Sequence, residues 1–245
     1  MGRDRHAPGL AKGARAFQSL TEARRIAQPP EHSPAITDVP YRAISIFPSL
    51  VLARAGVSPN AITIAWGCLG AVAVAGLGCP SYWVRVTAAI LLEVSYLLDF
   101  VDGEVARLEE RTSNRGFFID LASHGLIKAG LFLSLGYRLL FVTDHMEYLA
   151  LAFSAAIFVT NIHMLPFYGK YASVTDKQPS RHIRSGLSIR ELVVKLVGLA
   201  GIAFESPGLY GFVLVGAVLD RWTWLLLFYG VLSPFWYFYR AAKYR

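Results

Sequence analysis

The 245-residue chain is predicted to be an all-α integral membrane protein, with six transmembrane helices preceded by an N-terminal interfacial amphipathic helix. Hydrophobic residues make up 54% of it and mean hydropathy is +0.42, too apolar for an ordinary soluble domain. Apolar stretches long enough to cross a bilayer recur along the chain, divided by short polar turns. Basic residues gather in alternate connections, as the charge bias of membrane proteins requires.

Residues 1–38 read as a mobile cytoplasmic segment and 39–245 as one six-helix membrane domain. The first 34 residues are polar, end in Pro29, Pro30 and Pro34, and hold no apolar run of secretory length, so no cleaved signal is expected. A weak helix near Ala14 to Ala27 would present Phe17, Leu20 and Ile26. From Tyr41 to Ala55, Ile44, Phe47, Val51 and Leu52 alternate with Arg42, Ser45 and Arg54, as in a helix lying along the headgroups and interrupted by Pro48.

Ser58-Pro59-Asn60 then opens the first span, since Pro suits a first helical turn and Ser or Asn can cap it. On that span Gly67, Ala71 and Ala75 recur every four residues, a small-residue face for helix packing. The spans fall at 60–78, 82–107, 115–142, 146–169, 188–218 and 221–241. Glu205-Ser206-Pro207-Gly208 should break or kink the fifth, so a seven-segment arrangement with a half-length piece stays open.

A net charge of +7 suits nucleic acid, but these bases do not form a stripe interleaved with aromatics, and membrane orientation accounts for them better. Arg3, Arg5, Lys12, Arg15, Arg24, Arg25, Arg42 and Arg54 precede the first span. Lys170, Lys177, Arg181 and Arg184 follow the fourth, and Arg240, Lys243 and Arg245 end the chain. The opposite turns hold Asp144, Glu147, Glu205 and Asp220. Both termini are therefore expected in the cytoplasm, with the inner end of span two at the cytoplasmic face. Cys68 and Cys79 lack metal-ligand spacing and read as free thiols.

Function concentrates at Asp99-Phe-Val-Asp102-Gly103-Glu-Val-Ala106-Arg107, followed by Gly116, Asp120 and His124. Each acidic side chain costs about 2.5–3.5 kcal/mol at a bilayer centre, so a chain that keeps three there needs a counter-charge or an aqueous cavity. Asp99 and Asp102 share one helix face; Gly116, Asp120 and His124 share another at steps of four. Antiparallel packing of spans two and three can bring Asp99, Asp102, Asp120 and His124 around one point. Hard carboxylate oxygens select Mg²⁺ or Mn²⁺ and leave positions for water and phosphate, which points to phosphoryl chemistry. Gly103 and Gly116 remove side chains where a base or phosphate would collide, and Arg107 offers a fork of donors.

The order D-x-x-D-G-x-x-A-R, eight residues, then G-x-x-x-D closely resembles the signature of the CDP-alcohol phosphotransferase (CDP-alcohol phosphatidyltransferase) family. The resemblance is strong over residues 99–124 and looser over about 40–240. It implies a metal-dependent enzyme of phospholipid or related phosphodiester biosynthesis. Such an enzyme moves a substituted phosphate from a CDP-linked alcohol or lipid, such as CDP-diacylglycerol, to a hydroxyl acceptor and releases CMP. By the same resemblance, Asp99, Asp102 and Asp120 would ligate one or two Mg²⁺ or Mn²⁺ ions. Gly103, Ala106 and Gly116 would make room for the cytidine side of the donor, and Arg107 would support the phosphates. The implied partners are the donor, the acceptor, the bilayer and a second copy in a homodimer, with no nucleic acid.

His124 departs from the pattern, because the family has a fourth aspartate there. An imidazole, with a reference pKa of about 6.5, is a better general base near neutrality than an ordinary carboxylate and also ligates metal. His124 is therefore read as the catalytic base and a metal ligand. The lost anion also leaves open an altered or inactive relative that binds a nucleotide or a partner. An intramembrane aromatic prenyltransferase fits less well, since it needs a second aspartate-rich motif. Lys128 is a candidate for an acceptor's phosphate or carboxylate, or for a pair with Glu93; Asn161 and His163 are candidates to line the cavity.

Overall fold

The computed structural model describes residues 19–29, 38–171 and 201–242, and every regular element among them is a helix. In chain order these are α1 (Leu20–Ala27), α2 (Val39–Arg54), α3 (Pro59–Leu77), α4 (Tyr82–Leu108), α5 (Asn114–Thr143), α6 (Glu147–Tyr171), α7 (Ser206–Leu219) and α8 (Trp222–Ala242). The first four expected spans and the last agree with α3 to α6 and α8 to within two residues. Residues 172–200 lie outside the described set, including the first part of the expected fifth span with its basic loop. Its predicted break falls where Glu205, with extended backbone, precedes α7 and Pro207 occupies the first turn.

Among the described residues, three helices are long and apolar enough to cross a membrane: α3, α5 and the stretch Glu147–Pro166 of α6. Charged side chains, Asp99 and Asp102 among them, exclude α4, although it is 27 residues long. In α8, Trp, Tyr and Pro dilute the Leu and Val.

Ser19 caps α1, its side chain accepting from the Glu22 amide at 3.1 Å. Of the expected face, Ile26 packs on the core and Leu20 is exposed, while the small Ala23 and Ala27 are fully buried and let α1 lie close to its neighbours. Phe17 lies outside the described residues. Helix α2 runs through Pro48 without ending there. Ser45, Ile46, Ser49 and Ala53 turn inward, and Ile44, Phe47 and Val51 are left exposed. Ala27, Ile46, Ile62, Val101, Val105 and Leu108 make a small core that joins α1, α2 and the start of α3 to the end of α4.

The larger core, including Trp66, Leu92, Phe132, Val213, Trp222 and Tyr229, ties α3 to α8 together. Close approach of α3 to its neighbours uses Gly70, where a Cβ would lie 3.0 Å from both Ile127 Cγ1 and Ser95 Oγ. Of the small-residue face expected to do this, Gly67 meets Ser123, whereas Ala71 and Ala75 are exposed. At the opposite end of α4 from the acidic cluster, buried Arg85 donates to the carbonyls of Cys79 and Pro80 and pairs with Asp220 at 2.8 Å. That pair fastens α4 to the α7–α8 turn.

Arg85→Ala should lower the thermal midpoint in detergent by the equivalent of about 1–3 kcal/mol, since three acceptors lose their donor at a half-exposed partner.

Candidate active site

Helices α4 and α5 are joined by a short turn at 109–113 and both pack on α3, so side chains bridge the space between them and the register across the turn sets the site. Glu110 takes the left-handed conformation (φ 55°) just past α4, and the Arg111 amide returns to the Ala106 carbonyl at 2.9 Å, closing the helix end. Ser113 caps α5, accepting from the Gly116 amide at 3.0 Å. Asp99 lies nine residues before the end of α4 and His124 ten after the start of α5, so the two face each other. At a rise of about 1.5 Å per residue, Asp102 and Asp120 form the next layer toward the turn, and Gly103, Ala106 and Gly116 the outermost.

One donor atom from each of Asp99, Asp120 and His124 falls within 4.8 Å of the others. His124 Nε2 is 3.1 Å from Asp99 Oδ1 and 3.5 Å from Asp120 Oδ1. Asp120 Oδ1 is buried and accepts no hydrogen bond, as an oxygen reserved for an outside ligand would be. Two carboxylates and an imidazole suit one divalent cation of the Mg²⁺ or Mn²⁺ kind, so the residues present fit the group. Asp102 stands beside this trio with one oxygen already engaged: its Oδ2 accepts from Thr63 Oγ1 at 2.6 Å and Trp66 Nε1 at 2.7 Å. Asp102 is therefore fixed by α3.

Trp66 and His163 flank the His124 ring, each with its ring centroid 5.0 Å away. His163, a minor candidate from sequence, thus reaches the site from α6. Asn161 does not need it, donating to the Ile157 carbonyl of its own helix at 2.8 Å. Lys128 does not form the considered pair with Glu93. Tyr41 donates to Glu93 at 2.6 Å, and Lys128 Nζ is buried without a hydrogen bond.

Above the acidic layers opens a cleft of about 290 Å³, lined by Asn60, Thr63, Asp102, Gly103, Arg107 and Gly116 among others. The first turns of α3 and α5 both border it, so two helix N-termini lend it positive potential. Gly116 serves a purpose the sequence did not reveal, since a Cβ there would lie 2.7 Å from Asn60 Oδ1. At Gly103 a Cβ would lie 3.3 Å from Arg107 Nη1, so the guanidinium covers the glycine. Thr63, Trp66 and Asn60 were missed as site residues because they lie some forty residues before Asp102, on a helix whose facing the local pattern does not set.

An all-helical bundle with helices apolar enough to cross a membrane thus carries an acid-and-imidazole centre beneath an anion-favouring cleft. The sequence profile described as CDP-alcohol phosphatidyltransferase matches residues 56–182, about half the chain and all of the signature, and the chain belongs to that family. The family uses CDP-alcohol donors and alcohol acceptors and is metal-dependent in general. No curated protein matches the chain.

Asp120→Asn should weaken Mn²⁺ binding, followed by the paramagnetic spectrum of the free ion, by at least about tenfold. Gly116→Val should push Asn60 aside and lower affinity for CDP while Mn²⁺ binding persists, as calorimetry would measure.

Proposed function

We propose that the protein transfers a substituted phosphate group from a CDP-linked alcohol or lipid to a hydroxyl acceptor, releasing CMP, in phospholipid or related phosphodiester biosynthesis. The observation that carries this reading is the convergence of Asp99, Asp120 and His124 donor atoms within 4.8 Å, beneath a cleft bordered by two helix N-termini and Arg107. Asp99 and Asp120 would hold Mg²⁺ or Mn²⁺, with His124 as a third ligand and Asp102 alongside. When bound, the metal neutralises the diphosphate and stabilises the departing CMP.

Gly103, Ala106 and Gly116 leave the cleft open for the cytidine side of the donor, while Arg107 and the helix N-termini orient its phosphates. The acceptor oxygen attacks the phosphorus remote from cytidine. A new O–P bond forms, the bond to the bridging oxygen breaks, and CMP leaves with that oxygen. In the state where Asp99 and Asp120 hold the ion without it, His124 Nε2 would take the acceptor's proton, and the imidazolium would be stabilised by Asp99 at 3.1 Å and Asp120 at 3.5 Å. Base and ligand roles compete for this nitrogen. His124 Nδ1 is buried without a hydrogen-bond partner.

The surrounding arrangement belongs to the same proposal: a 39–245 domain of six spans behind a cytoplasmic 1–38 segment, both termini cytoplasmic, the site near the cytoplasmic face, and a homodimer. Exposed Ile44, Phe47 and Val51 suit α2 to the lipid headgroup region. The replacement of a fourth aspartate by His124 favours one alternative, a relative that binds the nucleotide without turnover.

Purified protein with Mn²⁺ and a panel of CDP donors and hydroxyl acceptors should release CMP, and mass spectrometry of the product identifies both substrates. Asp99→Asn should abolish release. His124→Ala should slow it by about 10²–10⁴-fold and His124→Asp should restore part of the loss. Full turnover by the alanine variant rules out the base role, and CDP binding without CMP release by the unaltered chain selects the alternative.

A further inference from the structure

Resting on the donor reading above, we infer that helix α1, which precedes the region matched to the family, braces the donor cleft from behind: Glu104 and Gln28 are positioning residues that hold it so that Ala27 aims Arg107. Glu104 lies inside the signature, one residue after Gly103, yet turns away from the cleft and is 1% exposed. Three side chains donate to its carboxylate. Gln28 Nε2 and Ser45 Oγ reach Oε1 at 2.7 and 2.6 Å, and Ser49 Oγ reaches Oε2 at 2.7 Å. Gln28 Nε2 also donates to the Arg42 carbonyl at 2.7 Å, and Arg24 donates to the Ala43 carbonyl at 3.3 Å. A single buried carboxylate thereby ties α1 and α2 to α4.

The tie has a chemical consequence at its other side. Arg107 Nε donates to the carbonyl of Ala27, the last residue of α1, at 2.6 Å. That carbonyl belongs to the unsatisfied end of a helix, where the negative dipole end attracts a cation. With Nε taken, the guanidinium plane is fixed, and its Nη1 and Nη2 lie over Gly103 at the wall of the cleft. An arginine left free would have to be ordered by the ligand, at an entropic cost to binding. Ala23 and Ala27, both fully buried, supply the close contact that brings the carbonyl within reach.

The test is CDP binding by calorimetry to the full chain in nanodiscs with Mn²⁺ present. Gln28→Ala should weaken CDP binding by about tenfold, in line with the loss of a charge-assisted bond, and leave Mn²⁺ affinity unchanged. In an Arg107→Ala background the same substitution should cost less than twofold, because both act through one guanidinium. Arg25→Pro, which breaks α1 without touching the cleft, should reproduce the Gln28→Ala loss. Wild-type CDP affinity in Gln28→Ala, or a loss undiminished beside Arg107→Ala, overturns the inference alone. Failure of the unaltered chain to bind CDP overturns the donor reading and this inference with it.

Discussion

Charged groups placed within apolar helices must be answered by other groups, and that constraint organises this molecule. Each of the polar residues buried on α4 has a dedicated partner from a different element: Arg85 the Asp220 carboxylate, Ser95 the Trp66 carbonyl, Asp102 the Thr63 and Trp66 donors, and Glu104 the Gln28, Ser45 and Ser49 donors. Where water is scarce an unanswered group costs more than an ordinary hydrogen bond gains, so these contacts fix how α1, α2, α3 and the α7–α8 turn sit on α4. Among the buried atoms without a hydrogen bond, Asp120 Oδ1, His124 Nδ1 and Lys128 Nζ on α5 gather at the candidate centre.

The α4–α5 turn, with both helices packed on α3, converts sequence spacing into layers. It is closed at both ends by local hydrogen bonds, so the levels of Asp99 with His124 and of Asp102 with Asp120 follow from counting residues outward. Chemistry then separates by depth. The centre sits in the inner layers, shielded by Trp66 and His163, and the anion-favouring cleft opens above it where α3 and α5 begin. A donor bound with its nucleotide outward and its phosphates inward matches that gradient.

His124 gives the centre a different character from one built of four carboxylates. An imidazole between two acids removes one negative charge, which weakens the pull on a second metal and strengthens the case for proton transfer at Nε2. Asp102, held by α3 through one oxygen, is a less free ligand than its place in the motif suggests. Both features make metal stoichiometry a property of this chain rather than of the signature.

Much of this was legible in the sequence. Five helices were placed to within two residues, because long apolar runs bounded by Ser-Pro-Asn, Cys-Pro-Ser or a short polar turn leave little choice of boundary. That Asp99 and Asp102 share one face and Asp120 and His124 another also followed from their steps of three and four, but it is the packing of α4 and α5 on α3 that turns those faces together. Local pattern carries no record of what approaches from far along the chain. Thr63 and Trp66 as the partners of Asp102, Asn60 as the reason for Gly116, the inward turn of Ser45 and Ser49, and the reach of Ala27 to Arg107 were decided only when the helices packed. Their physical reason is shared: helical periodicity says which residues lie on one face, and only the buried polar groups of the assembled bundle say which face meets which.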